Sequence, residues 1–145
     1  MEFSRTGFTL RPADWLNDRE ALQHVRFTVF VDEQQVPAEI EIDEHDPGCY
    51  HVLAEDEVGT PIGTGRLLDD GHIGRMAVLQ AWRGRGVGSA LLMHLKNEAR
   101  RRGFKRAILS SQVHAMAFYA RHGFQAYGAV YLDAGIDHRD MECAL

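Results

Sequence analysis

The alternation of apolar and polar residues predicts strands and helices along most of the chain. Residues 6–11 alternate as a strand does, and Pro12-Ala13-Asp14 opens a predicted helix. Leu22, Val25 and Val29 recur in that helix at intervals of three and four residues. This spacing predicts that the helix runs at least as far as Val29.

Further along, the pattern predicts an acidic loop, a hairpin and then mixed elements. Residues 33–48 contain Pro37 and Pro47 and are predicted to form a loop with one short helical turn. Strand patterns at 50–54 and 62–68 flank the turn residues 57–61, which indicates a hairpin. The other predicted elements are strands at 73–78, 106–110, 124–131 and 136–143, and helices at 89–102 and 114–122. Strands interrupted by helices predict a mixed α/β sandwich.

Length and composition fit a single domain, residues 1–145. The chain has 145 residues, 45% of them hydrophobic, which is enough for one substantial core. Its net charge of -5 argues against a nucleic-acid-binding protein. No segment reaches the roughly 18 uninterrupted apolar residues of a membrane span, and the N-terminus lacks the apolar run of a signal peptide. We expect a cytoplasmic protein with no membrane partner.

The two cysteines, Cys49 and Cys143, are too few for a disulfide framework. They also form no metal-ligand spacing with the scattered histidines. We expect reduced, buried thiols and no metal site.

The most informative segment is Arg83-Gly84-Arg85-Gly86-Val87-Gly88, a glycine-rich turn between a predicted strand and a predicted helix. Such a turn presents successive backbone N–H groups at a helix N-terminus, where unpaired donors and the helix dipole favour a phosphate. The segment therefore predicts a phosphate-bearing ligand.

The glycine spacing argues against two common nucleotide-binding motifs. No lysine follows Gly88, as the Walker loop requires. Gly84 and Gly86 begin a dinucleotide fingerprint, but Ser89 stands where its last glycine would be, and no clear acidic residue ends a strand near position 106.

The remaining pattern, Arg83-x-x-Gly86-x-Gly88, resembles the acetyl-CoA pyrophosphate loop of the GNAT N-acetyltransferases. Ala117-Phe118-Tyr119-Ala120-Arg121-His122-Gly123-Phe124 is similar to the second signature of that family, and the resemblance covers residues 8–141. It implies an acetyl-CoA-dependent acyltransferase with the GNAT fold: a mixed, mostly antiparallel sheet with a V-shaped splay, flanked by about four helices.

The resemblance also implies where acetyl-CoA binds. Pantetheine would lie along the backbone of Met76, Ala77 and Val78, with the Val78 N–H polarising the thioester carbonyl. Gln112 stands where many members carry Asn, and Tyr119 would lie at the CoA sulfur. The pyrophosphate would be held, mainly by main-chain N–H groups, at Arg83, Arg85, Gly86, Val87, Gly88 and Ser89.

Acyl transfer to an amine needs a neutral nucleophile, a polarised carbonyl and a proton for the departing thiolate. Tyr119 matches the family tyrosine that supplies this proton. The segment Tyr131 to Met141 resembles the C-terminal stretch of the ElaA-like branch and of glyphosate N-acetyltransferases, whose histidine is the catalytic base. His138 is therefore the predicted base, and a histidine titrates in the pH range this role needs.

The segment Arg26 to Pro37 resembles the same branch and is expected to border the acceptor side of the cleft. Glu33, Asp43 or Asp46 could attract an ammonium group or act as an alternative base. Arg26 or Arg75 could pair with a carboxylate. These charges favour a small zwitterionic amine as the acceptor.

Two other functions stay open from the sequence. One is acetylation of a protein lysine or N-terminus, and the other is a non-catalytic CoA-binding sensor. A homodimer through the last strand, residues 136–143, is also expected from the family.

Overall fold

Seven strands form two antiparallel sheets in the computed structural model, which describes residues 7–145. The first sheet has the order β1-β2-β3-β4 and the second the order β5-β7-β6. The strands are β1 (Phe8–Ala13), β2 (Tyr50–Asp56), β3 (Pro61–Leu67), β4 (Ile73–Val78), β5 (Arg106–Gln112), β6 (Gln125–Asp133) and β7 (Ile136–Ala144).

Within residues 7–145, four α-helices and several shorter helical segments connect the strands. The first begins after Asp14, whose side chain accepts a hydrogen bond from the Asn17 N–H. The α-helices are α1 (Trp15–Arg26), α2 (Ala38–Glu41), α3 (Val87–Arg101) and α4 (Met116–Ala120). A π-helix (Phe27–Glu33) continues α1, and 3₁₀ turns occupy Asp46–Gly48, Gln80–Trp82 and Val113–Ala115. No helix within residues 7–145 is both long and apolar enough to cross a membrane.

The two sheets meet at one parallel bridge between His72 and Ile108. Beyond this bridge β4 and β5 pair only with their own sheets, so the strands diverge. This is the V-shaped splay that the family resemblance predicted, and it opens a cleft between the two sheets.

Glycines of β3 determine how closely α3 approaches the first sheet. A Cβ added to Gly63 would lie 3.0 Å from Val87 and 3.1 Å from Leu91, and one added to Gly65 would lie 2.8 Å from Leu95. These three apolar side chains of α3 are fully buried in the main core. Because α3 is packed so tightly, the loop at its N-terminus is held in a fixed position.

Most predicted elements are confirmed, with shifted ends. The first predicted helix changes to π-helical geometry at Phe27, and α3 begins at Val87 rather than Ser89. The acidic loop contains the predicted helical turn, α2, and a second turn at Asp46–Gly48. The predicted first strand began at Thr6, which lies outside the described residues; β1 itself begins at Phe8.

Candidate active site

The glycine-rich loop leaves the start of α3 open. Gly84 has φ +73° and Gly86, the N-cap of α3, has φ +87°, which are left-handed conformations that suit glycine. No side chain caps this helix end, and a Cβ added at either glycine would meet no atom within 4 Å. The first N–H groups of α3 therefore face an unobstructed surface.

A cavity of about 320 Å³ lies against this loop. Ser89, Phe118 and Arg121 line it together with Gly84, Gly86 and Gly88. The Arg85 guanidinium lies outside the lining, 4.0 Å above the centre of the Trp82 ring. The cavity thus combines backbone donors with one hydroxyl, that of Ser89, and two cationic side chains, Arg83 and Arg121. This set of groups suits phosphate oxygens.

Arg83 also lines this cavity, and its guanidinium is paired with the π-helix. Its Nε donates to the Val78 carbonyl oxygen at 2.9 Å, and its two terminal nitrogens lie 2.9 and 2.7 Å from the Glu33 carboxylate. In addition, Gln112 Nε2 donates to Gln34 Oε1 at 2.7 Å. Glu33, predicted to be an acceptor ligand, is therefore paired with Arg83.

A larger cleft of about 620 Å³ runs along the splay. Its lining includes Arg75, Gln112, Tyr119 and His138, which are far apart in the sequence, and also the predicted pantetheine strand Met76, Ala77 and Val78. Val78 and Arg83 line this cleft and the loop cavity alike. The predicted acid Tyr119, the predicted base His138 and one predicted acceptor residue, Arg75, thus share one space next to the loop, whereas Arg26 and Glu33 do not line it.

Tyr119 is held in the cleft by aromatic contacts. Its ring is edge-on to Phe118 at 5.1 Å and to Phe124 at 6.0 Å. Burial raises the pKa of Tyr119 to about 12. This pKa keeps the hydroxyl protonated at neutral pH. Because the hydroxyl makes no hydrogen bond to any residue within 7–145, it is free to donate to a ligand.

The tautomer of His138 follows from its hydrogen-bond partner. Its Nδ1 lies 2.7 Å from the Ile136 carbonyl oxygen, which can only accept, so Nδ1 carries the proton. Nε2 is therefore the basic nitrogen of the neutral ring. Tyr131 stacks on the ring at 6.1 Å and donates from its hydroxyl to Asp140 at 2.7 Å. Ser110 hydrogen-bonds the same hydroxyl.

Comparison with known proteins identifies the family of the chain. The family model for the GNAT acetyltransferase domain matches residues 16–145. The chain belongs to the GNAT acetyltransferase family. This confirms the predicted fold and activity, an N-acetyltransferase that uses acetyl-CoA.

The similarity to individual relatives extends over most of the acetyltransferase. The uncharacterized N-acetyltransferase YjcF of Bacillus subtilis is 39% identical over 122 residues, which are 81% of this chain and 86% of YjcF. An acyl-CoA N-acyltransferase from Pseudomonas aeruginosa is 32% identical, with a TM-score of 0.84 over 94% of this chain and 99% of its own. Escherichia coli ElaA is 28% identical, with a TM-score of 0.81 over the same shares, and supports the predicted ElaA-like branch.

Arg26 is buried in the interior of the acetyltransferase, which contradicts the prediction that it binds the acceptor. The Arg26 side chain is 1% exposed. Its guanidinium lies 3.0 Å from Glu41 and 2.7 Å from Asp46. The sequence could not place these partners, which are 15 and 20 residues away. Because its guanidinium is buried and already hydrogen-bonded, Arg26 cannot bind the substrate, and its prediction as a substrate ligand is wrong.

The acids of the same cluster are ion-paired as well. Asp46 also binds Arg66 at 2.7 Å, and Asp43 lies 2.7 Å from Arg66 and 3.2 Å from Arg75. Burial alone would raise the pKa of both carboxyls, but hydrogen bonds and charge from these arginines outweigh it and hold each pKa below its usual range. A carboxylate stabilised in this way is a poor base, so Asp43 and Asp46 fit the alternative base role badly.

Arg75 differs from Arg26 because it reaches the cleft. It lies where the β3–β4 register shifts, with φ +48°, and its side chain is 29% exposed. Its Nε donates to the Glu41 carbonyl oxygen at 3.1 Å. Its Nη1 makes no hydrogen bond with any residue in 7–145, which leaves this donor available to a ligand.

The two cysteines are not disulfide-bonded to each other. Cys49 and Cys143 are free, and burial raises the pKa of Cys49 to about 11, which keeps that thiol protonated at neutral pH. Within the described part of the chain, no three His, Cys, Asp or Glu side chains are grouped so that they could hold a metal.

Two site residues were absent from the sequence-based prediction. Arg121 lines the loop cavity, and its position two residues after Tyr119 in the second signature could have suggested it. Tyr131 is paired with His138 across β6 and β7, a relationship that requires the strand register.

Proposed function

We propose that this acetyltransferase transfers the acetyl group of acetyl-CoA to the primary amine of a small metabolite, directly and within a ternary complex. The observation that carries the proposal is the single cleft lined by Tyr119, His138 and Arg75. Because the cleft adjoins the loop cavity at Val78, acceptor and acetyl-CoA can approach from its two ends.

The residues present fit acetyl-CoA, which supplies a thioester carbonyl activated for attack by an amine. The open backbone at Gly86, Val87 and Gly88 suits a pyrophosphate, and Ser89 and Arg121 add side-chain donors. The edge of β4 at Met76 to Val78, which faces the splay, offers backbone groups to the amides of pantetheine.

Two side chains would move the protons of the reaction. His138 Nε2 accepts a proton from the attacking amine as the C–N bond forms. Tyr119 donates its hydroxyl proton to the sulfur as the C–S bond breaks, and its raised pKa ensures that it holds this proton across the physiological range. His138 gains one proton and Tyr119 loses one, so the net charge of the protein is unchanged, and proton exchange with solvent then restores the starting protonation state of each residue.

Arg75 supports an acceptor that carries a carboxylate beside its amine. Its unpaired Nη1 and its place on the cleft allow a hydrogen bond to an anion. Phe30, Ile40 and Ile73 add apolar lining to the same cleft. Amino acids and similar metabolites have this combination of groups. A cytoplasmic location and a homodimer stay predictions beside this proposal.

The test is release of CoA thiol from acetyl-CoA in the presence of amines. The panel contains amino acids, their carboxamides, polyamines, aminoglycosides, amino sugars and lysine peptides, and acetyl-CoA binding is measured by calorimetry on the same sample. Release with amino-acid-like amines supports the proposal. Release only with lysine peptides would instead assign a protein acceptor, and binding without release by any amine would assign a sensor.

A further inference from the structure

Ser89 and His122 form a hydrogen-bonded pair at the loop cavity. Ser89 lies in the first turn of α3 and lines the cavity, and His122 follows α4. Ser89 Oγ is 3.0 Å from His122 Nε2. Neither side chain has a part in the proton transfers proposed above.

Proton counting shows why this pair matters for a phosphate. The Ser89 hydroxyl has a single hydrogen, and phosphate oxygens of CoA only accept hydrogen bonds. If His122 Nε2 is unprotonated, Ser89 donates to it and presents only lone pairs to the cavity. If Nε2 carries a hydrogen, as it does in the imidazolium and in one of the two neutral tautomers, the ring donates to Ser89, and the hydroxyl hydrogen is free for a phosphate oxygen. Only the imidazolium also carries a positive charge, so it is the form that an anionic phosphate favours.

The charged groups around His122 are cationic. Lys96 of α3 donates to the His122 carbonyl oxygen at 2.9 Å, and Arg121 precedes His122 and lines the cavity. The Cys143 thiol of β7 also approaches this carbonyl, at 3.9 Å, and Phe118 contacts the ring at 5.1 Å. Burial, then Lys96 and Arg121, lower the pKa of His122. An anion held at Ser89 would oppose all three effects.

We propose that the binding of CoA phosphates at the loop is coupled to protonation of His122, with Ser89 as the group that joins the ring to the phosphate. His122 is thus a positioning residue that makes cofactor affinity depend on pH. The inference rests on the proposed placement of the pyrophosphate and not on Tyr119 or His138.

The sign of the effect follows from linkage. A phosphate anion favours the imidazolium, so binding takes up a proton, and affinity increases as the pH falls toward the pKa of the free protein's ring. A rise of one pKa unit on binding corresponds to a tenfold change in affinity. We expect binding to be several-fold tighter at pH 6 than at pH 8.

The experiment is calorimetric titration with dephospho-CoA, which keeps the pyrophosphate but lacks the 3′-phosphate, whose own titration would add to the signal. Measurements run from pH 6 to 8.5, each in two buffers of different ionisation enthalpy, so that proton uptake is obtained directly. The wild type should take up a fraction of a proton near pH 7. His122→Gln, whose amide can still donate to Ser89, should show no uptake and little dependence on pH.

His94→Gln is the matched control, because His94 of α3, like His122, pairs with a hydroxyl, that of Tyr50 at 2.6 Å, but lines neither cavity. Its uptake should equal that of the wild type. Tight binding with no proton uptake, or equal uptake in His122→Gln, would overturn the coupling and leave the proposed function intact. If the folded wild type does not bind dephospho-CoA at any pH, the placement of the pyrophosphate itself is wrong.

Discussion

The Nδ1 atom of His138 lies 2.7 Å from the carbonyl oxygen of Ile136, two residues earlier in β7. This contact assigns the basic lone pair to Nε2, and the stacked ring of Tyr131 restricts rotation of the imidazole. The orientation of the proposed base is therefore fixed before any substrate binds.

Replacing His138 should remove the proposed base. In His138→Gln we expect a fall in kcat/KM of about 10²- to 10⁴-fold, together with loss of the acidic limb of the pH–rate profile. His114→Gln is the control, because His114 also lines the cleft but lies in the 3₁₀ turn before α4. Persistence of the acidic limb in His138→Gln would show that another group or a water chain accepts the proton.

Tyr119→Phe should separate chemistry from binding. We expect kcat to fall by roughly tenfold to several hundredfold, because the thiolate loses its proton donor. Affinity for acetyl-CoA should change little, since the phenyl ring keeps the contacts to Phe118 and Phe124.

Because the pKa of Tyr119 is raised to about 12, the wild type should show no loss of kcat from this group up to pH 9. Unchanged turnover in the variant would exclude Tyr119 as the acid.

Arg75→Gln tests the acceptor class. It should raise KM about ten- to hundredfold for an acceptor with a free carboxylate, as one charge-assisted hydrogen bond is worth about 1.5–3 kcal/mol. The carboxamide of the same acceptor should lose much less. Arg139→Gln serves as the control, since its Nε donates to Gly128 on the exposed side of β6. Equal losses for both acceptors would mean that Arg75 does not bind the carboxylate.

Local sequence patterns predicted the parts of the site that depend on neighbouring residues. The loop at Gly84 to Gly88 could be predicted because its glycines are needed for the local backbone conformation, which depends only on neighbouring residues. Glu33 and Arg83 are 50 residues apart, and their ion pair depends on how the π-helix lies over the loop. Likewise, nothing local distinguishes Arg26 from Arg75: only the packing of the acidic loop decides which one is buried.

The buried ion cluster should make the protein sensitive to acid. The pKa of Asp46 is lowered in the folded state, so its contribution to stability is present above about pH 4 and is lost as the pH falls through the folded value. In urea titrations between pH 2.5 and 7, the free energy of unfolding should fall below pH 4. At pH 7, Asp46→Asn should lower the free energy of unfolding by about 3–5 kcal/mol, because the charges of Arg26 and Arg66 stay buried after their partner is removed.

The exposed neighbour Glu44 provides the control for this effect, since Glu44→Gln should keep the acid-induced loss of the wild type. A wild type whose free energy of unfolding stays constant down to pH 2.5 would contradict the assignment, even if Asp46→Asn cannot be isolated as a folded protein.

Gly86 and Gly103 allow the ligand-binding role of the loop to be separated from its backbone strain. Both have φ +87°, and a Cβ added at either would meet no atom within 4 Å. One precedes α3 and the other follows it. Alanine at either position should therefore cost a similar 1–2 kcal/mol of stability, because both must hold the same left-handed conformation.

Only Gly86→Ala should also weaken acetyl-CoA binding, by at least tenfold in calorimetry at a temperature where both variants are folded. Its methyl group would project beside the N–H groups at the start of α3, where a phosphate must approach closely. Gly103 lies at the other end of a 15-residue helix and cannot affect that approach. Equal affinities in the two variants would mean that the phosphate binds elsewhere, because strain alone is matched between them.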